Sequence, residues 1–206
     1  MQIRSFLALN FSVSVTRRIA EEVERHKAAL ATAGQRISWV PAANLHLTLQ
    51  FLGAIDEELV EGIAGRVGAV ATRHRPFELK AVGFGRFPLA STSEPARVLW
   101  VGVRDSAPLL ALQKDVVGAL VGLGLSLPSE PSGFHPHVTV GRVKEAAAAG
   151  LAWSSEAELG ASLVNEIVVY ESRSDTAGLH GVEYQARARI PIGPVAAAPV
   201  AQRRVS

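Results

Sequence analysis

Stretches in which hydrophobic and polar residues alternate give way, along this chain, to stretches in which hydrophobic residues recur every three or four positions. Ile3 to Asn10 reads as a buried strand. Residues 15–31 then carry a helical pattern through Val15, Ile19, Val23 and Leu30, with Ser12 or Ser14 as the cap. A turn around Gly34 leads through ISWV and Pro41 into LHLTLQFLG, residues 45–53, which alternates as a strand does. Asp56 is the expected cap of a second helix over about residues 57–71, with Glu57 and Glu58 at its positive end. FELKAVGF, residues 77–84, is a further strand.

The second half repeats this order. RVLWVGV, residues 97–103, is a strand; Ser106 caps a helix over about residues 108–121; FHPHVTVGRV, residues 134–143, is a strand after a loop rich in Pro and Gly. The Ala-rich stretch 144–161 is expected to hold a short or irregular helix, and NEIVVYESR and GVEYQARARIPI supply two last strands. The spacings match as well: 40 residues from Phe6 to His46 against 37 from Trp100 to His137, then 31 from His46 to Phe77 against 30 from His137 to Ile167. Two copies are too few for a solenoid. They predict an α+β chain with a bilobal, pseudo-twofold fold, in which two antiparallel-rich sheets face a central cleft and helices lie outside. Residues 1–193 form one domain on this reading, with halves of about 1–92 and 93–193. Residues 194–206 lack periodicity and are expected to be largely unstructured.

The 206 residues are 48% hydrophobic, enough for a sizeable core, and carry a net charge of +2. A mildly basic chain tolerates anionic substrates without declaring itself a nucleic-acid binder. Cysteine is absent, which excludes disulfides, thiolate chemistry and Cys-based metal sites and fits a cytoplasmic compartment. No run of apolar residues reaches the length of a membrane span, and a monomer is expected because no additional hydrophobic face is evident.

The chemistry lies in a duplicated phrase. HLTLQF at residues 46–51 and HVTVGR at 137–142 both read His, hydrophobic, Thr, hydrophobic. Alternation puts His46 and Thr48 on one face and His137 and Thr139 on another, with Leu45, Leu47, Leu49, Val138 and Val140 turned inward. Two imidazoles across a cleft suit phosphoryl chemistry, one taking a proton from water and the other giving one to the departing oxygen. The Thr hydroxyls can donate to phosphate oxygens. This set requires no metal and no cofactor. His135 shares the strand face of His137 and is a candidate substrate contact; His26 and His74 are read as surface residues, and His180 as part of a turn.

On these residues the chain resembles the bacterial and archaeal RNA 2′,3′-cyclic phosphodiesterases, also called 2′-5′ RNA ligases, of the two-histidine phosphoesterase superfamily. The resemblance begins at RSFLALNFS, runs through ISWVPAANLHLTLQFLG and FELKAVGFGRFP, and resumes at RVLWVGV, FHPHVTVGR and VVYESR. It implies catalytic roles for His46, His137, Thr48 and Thr139. Arg142 matches a basic residue common after the second motif, although simple alternation from His137 turns it to the opposite face. Tyr170 and Ser172 match an aromatic-x-Ser segment, for which structural packing is the favoured reading. Trp39 and Phe87 are candidate platforms for a base beside the phosphate.

The implied activity is hydrolysis of a 2′,3′-cyclic phosphate at an RNA end to a 2′-phosphomonoester. In that direction the resemblance makes the first-motif His the acid and the second the base; the sequence alone does not separate the roles. Alternatives are 2′-5′ ligation, action on a small cyclic nucleotide, and a non-catalytic module that binds RNA ends. The absence of a G-x-x-x-x-G-K-[ST] element disfavours an ATP-dependent ligase or kinase.

Overall fold

The structure is a computed structural model that describes residues 1–32, 36–89, 94–128, 133–144, 153, 155–174 and 182–194. The elements run β1 (Gln2–Leu9), α1 (Val13–Thr32), β2 (Ile37–Trp39), β3 (Leu47–Asp56), α2 (Leu59–Ala71), β4 (Phe77–Phe87), β5 (Val98–Val103), α3 (Ala107–Val121), β6 (His137–Val143), β7 (Ser155–Val164), β8 (Glu166–Ser174) and β9 (Val182–Pro191). One turn of 3₁₀ helix, Ala42–Asn44, sits just before β3. Nine strands pair antiparallel in the order β7-β4-β5-β6-β3-β1-β8-β9, with β2 on β6. The result is an α+β fold with peripheral helices.

Two separate sheets were expected, and the described strands form one. The half β7-β4-β5-β6, which also has β2 on β6, meets the half β3-β1-β8-β9 between β3 and β6, where Leu47 and Val138 are partners. Both are fully buried, and with Leu49 and Val140 they join the core that α1, α2 and α3 cover. The inward side of each motif strand is therefore fixed by hydrophobic burial, and the His and Thr side chains are left on the other side.

Local signals account for most boundaries. The Oγ of Ser106 accepts a hydrogen bond from the amide of Leu109, and Ser12 Oγ accepts one from Val15. Asp56 does not cap a helix. It ends β3 opposite Gln2, the amide of Glu57 donates to the carbonyl of Met1, and α2 starts after Glu58. The larger correction concerns residues 144–161. Residues 155–161 belong to β7, which pairs along β4 from Phe77 to Phe84. Alternation in SEAELGASLV and the open edge of β4 override the Ala-rich composition. Gly160, at φ +120°, supplies a backbone conformation that other residues rarely adopt. The remainder of that stretch, apart from Lys144 and Trp153, lies outside the described residues, as do His180, Gly34 and residues 195–206.

Candidate active site

The register at the sheet's centre assembles the two motifs. With Leu47 opposite Val138, one further step along antiparallel strands sets His46 across from Thr139 and Thr48 across from His137. All four side chains stand on the face away from the core, and each is half-buried.

Both imidazoles are oriented by the same contact. His46 Nδ1 lies 2.7 Å from the carbonyl oxygen of Asn44, and His137 Nδ1 lies 2.7 Å from that of His135. A carbonyl only accepts, so each Nδ1 carries its proton and Nε2 is the nitrogen that exchanges one. His46 Nε2 is 3.1 Å from Thr48 Oγ1, which donates to it when the ring is neutral. Asn44 also ties this turn to β9, through Nδ2 to the carbonyl of Val182 at 2.7 Å.

The two rings differ in their surroundings. His46 stacks on Phe6 at 4.7 Å between centroids and meets the edge of Tyr184 at 5.1 Å, with Tyr170 at 6.2 Å. This enclosure strips solvent from the charged form and lowers its pKa to about 4; the carbonyl of Asn44 opposes the shift, and His137 adds to it when protonated. His46 is accordingly neutral at pH 7. His137 meets the edge of Phe87 at 5.0 Å, with Trp100 at 6.4 Å.

A paired irregularity decides what else reaches this face. On β6, Trp100 of β5 pairs with Thr139 and Leu99 with Gly141, so Val140 is an extra, unpaired residue. On β3, Ala8 of β1 pairs with Thr48 and Leu7 with Gln50, so Leu49 is extra in the same way. Each bulge falls one residue after the motif Thr and reverses the alternation beyond it. Arg142 thereby pairs with Val98, on the same side as Trp100 and Thr139, and Phe51 pairs with Phe6, on the side of Thr48. Arg142 is on the motif face, contrary to simple alternation.

Two cavities flank the quartet. One, of about 520 Å³, contains His46, Thr48, Thr139 and Arg142 with Arg4, Ser172 and Tyr184. The other, of about 340 Å³, contains His137, Thr48 and His135 and runs along α3. Thr48, Phe51 and Pro128 border both. Burial raises the pKa of the Tyr184 hydroxyl, against the influence of the nearby Arg142 guanidinium.

The remaining candidates divide. His135 borders the second cavity, and its carbonyl orients His137. Phe87 lies against the His137 ring rather than along either cavity. Trp39 is elsewhere: it packs against Trp153 at 5.9 Å, under the Lys27 ammonium, in a cavity beside α1. Its partner Gly141 has no side chain, so the indole settles over it on the helix side of β6. Tyr170 stacks on Phe6, and its hydroxyl accepts from Asn10, while Glu171 turns to the other side. There Arg173 hydrogen bonds hold the Glu171 carboxyl below its ordinary pKa, and Arg187 adds to the effect. His26 packs between Phe84 and Trp153, and His74 pairs with Asp115 at 3.1 Å, both away from the quartet. Sequence reading missed Phe6, Asn44, Phe51 and Tyr184. Only Asn44 had a local signal, since it precedes His46 by two residues as His135 precedes His137. Among the described residues, no group of three or more His, Asp or Glu is placed to hold a metal ion, and no helix is long and apolar enough to cross a membrane.

The 2′-5′ RNA ligase superfamily matches residues 15–176. An RNA 2′,3′-cyclic phosphodiesterase of Aquifex aeolicus is 34% identical over 69% of this chain and 71% of its own length. One from Thermotoga maritima is 32% identical over the same shares. Among solved structures, one from Thermus thermophilus has a TM-score of 0.77 at 22% identity, covering 92% of this chain and 98% of its own. Escherichia coli LigT, complexed with 3′-AMP, has a TM-score of 0.73 at 24% identity, covering 93% and 99%.

Proposed function

Because the chain belongs to the 2′-5′ RNA ligase superfamily, we infer that it hydrolyses the 2′,3′-cyclic phosphate at an RNA end, the reaction for which its curated relatives are named. The observation that carries this reading is the facing pair of His-x-Thr motifs, each with its imidazole locked by a carbonyl two residues upstream.

In the proposed reaction the phosphate sits between the two Nε2 atoms. His46, neutral, exchanges the Thr48 hydroxyl at its Nε2 for the attacking water, which frees that hydroxyl for the phosphate, and takes a proton from the water as its oxygen attacks phosphorus. The bond from phosphorus to O3′ breaks, and protonated His137 gives its Nε2 proton to O3′. The product is a 2′-phosphomonoester with a free 3′-hydroxyl. This assignment makes the first-motif His the base, the reverse of the order that the resemblance implied, and rests on the aromatic enclosure of His46. Thr48, Thr139 and the Arg142 guanidinium supply donors to the non-bridging oxygens, where charge accumulates. Ring strain in the cyclic diester and its fixed position lower what the protein must add.

The chain order of the sheet supports pseudo-twofold lobes. Read outward from the centre, β6-β5-β4-β7 and β3-β1-β8-β9 correspond strand for strand, and both motif strands bulge at the same place. The lobe β6-β5-β4-β7 then takes β4 from the first half of the chain and its other three strands from the second, and β3-β1-β8-β9 takes two from each, which makes residues 1–193 one interdigitated unit. Phe51, Pro128, Arg142 and Val182 are exposed along the cavity rims, so the cleft admits an RNA end as well as a mononucleotide. We read the protein as acting as a monomer.

The test is purified protein on an oligonucleotide ending in 2′,3′-cyclic phosphate, with product isomers resolved. A 2′-phosphate end supports the reading; an unchanged substrate refutes it, and a 3′-phosphate end reverses the leaving group.

A further inference from the structure

We propose that the side-chain amide of Asn44, bonded across to β9, is the anchor that orients His46, which makes Asn44 a positioning residue; the inference rests on the two-imidazole reading above.

The two motif histidines are held by different means. His137 is the first residue of β6 and pairs with Gly102 of β5, and the amide of Val103 bonds to the carbonyl of Pro136 just before it. Its backbone belongs to the sheet. His46 precedes β3, which begins at Leu47, and the pairing of β1 with β3 runs only as far as Leu9 and Leu47. Among the described residues, no strand pairing includes Leu45 or His46. The carbonyl that His46 uses is no better fixed by the ladder: Asn44 closes a single turn of 3₁₀ helix, entered at Pro41 without a side-chain cap.

A side-chain bond supplies what the ladder does not. Asn44 Nδ2 donates to the carbonyl of Val182 at 2.7 Å, while the other end of the same segment rests on β6, where the amide of Val40 donates to the carbonyl of Val140 at 2.9 Å. Residues 40–44 thus run from β6 to β9, strands that stand four places apart in the sheet, and the curl of the sheet brings them within reach. Val182 opens β9, and Tyr184, two residues on and on the same side, sets its ring edge against His46 at 5.1 Å. The start of β9 therefore holds the imidazole through Tyr184 and the carbonyl partner of that imidazole through Asn44. His135 has the equivalent place in the second motif. Its ring approaches Phe87 at 6.3 Å, and among the described residues its side chain makes no hydrogen bond. The tie is present only at the histidine that lacks a ladder partner. Without the amide the short turn can pivot, the contact at Nδ1 loosens, and the ring gains freedom to present either nitrogen. A misplaced Nε2 slows proton transfer more than it weakens binding.

The experiment reads the tautomer of each motif histidine by imidazole nitrogen NMR at neutral pH, and kcat and KM on an oligonucleotide ending in 2′,3′-cyclic phosphate, for the wild-type protein, Asn44→Ala and Asn44→Asp. Asn44→Asp keeps the shape of the side chain and lacks the donor, and it carries the test if Asn44→Ala does not fold. Both variants are expected to lose the preference for a proton on Nδ1 at His46 while His137 keeps its own. In both, kcat should fall on the order of 10- to 100-fold with KM within about twofold of the wild type. An unchanged His46 tautomer in the variants would overturn the proposal. So would a loss confined to KM, since Asn44 would then contact the substrate, or wild-type turnover in Asn44→Asp, since the donor would then be dispensable. The tautomers are read without substrate, so failure of the functional reading appears separately, as intact cyclic-phosphate RNA after incubation with wild-type protein whose His46 responds to Asn44 as expected.

Discussion

His46 Nδ1 lies 2.7 Å from the carbonyl oxygen of Asn44, and this contact leaves Nε2 as the ring nitrogen turned toward Thr48. The same relation holds His137 to His135. A pair of imidazoles locked in one tautomer presents two Nε2 atoms to whatever lies between the motifs, without the entropy of free rotation.

Enclosure by Phe6 and Tyr184 is expected to set the acid side of the pH profile. The pKa of His46 is lowered to about 4, so the ring is neutral, and able to accept a proton, at any pH well above that value. Activity limited by His46 should therefore persist as pH falls through 6 and be lost only near pH 4 in kcat/KM, the parameter that reports the free enzyme. Tyr184→Ala admits water to the ring and should move this limb upward, toward the ordinary histidine value of about 6.5. A pH–rate series on both proteins measures it; an acid limb near 6.5 in the wild type would remove His46 from the role of base.

Gly85 should be intolerant of any side chain. Its Cβ would lie 2.1 Å from the Trp100 ring, which crosses directly over it between β4 and β5. Trp100 in turn borders His137 and accepts the indole N–H of Trp153 at its carbonyl. Gly85→Ala is expected to cost about 1–3 kcal/mol through overpacking, read as a lowered denaturation midpoint. A larger proportional loss of activity than of folded protein would show the strain reaching His137.

Chelation should leave activity intact. The quartet offers imidazoles and hydroxyls, and the buried carboxylate of Glu171 is engaged by Arg173 and Arg187 on the other side of β8. Hydrolysis of a cyclic-phosphate oligonucleotide after exhaustive EDTA treatment is the assay. Loss of activity restored by a divalent ion would contradict the two-imidazole mechanism.

Alternation made part of this legible in advance. In LHLTL and HVTV the buried leucines and valines leave no choice of face, and His46 and Thr48 are indeed in hydrogen-bonding contact. Simple alternation turns Arg142 to the opposite face, because a bulge is set by how two strands pair, and Val140 looks in sequence like any other inward residue. Trp39 adjoins the first motif in sequence, yet its ring position depends on Gly141, a hundred residues on. Phe6 and Tyr184 reach His46 only through the neighbouring strands and the return of β9 to the sheet, which no local pattern signals. Strand β7 was lost to its alanines, since pairing with β4 outweighs intrinsic preference.

The most direct measurement is a double-mutant cycle on the two imidazoles, using turnover of an oligonucleotide that ends in 2′,3′-cyclic phosphate. His46→Ala and His137→Ala should each cost roughly 10²–10⁴ in turnover, with Thr48→Ala and Thr139→Ala costing less. The double variant should fall little below the weaker single one, because an acid and a base that act in one step are lost together. A folded His137→Ala protein with full activity, or a double variant whose loss equals the product of the two single losses, would contradict the paired mechanism.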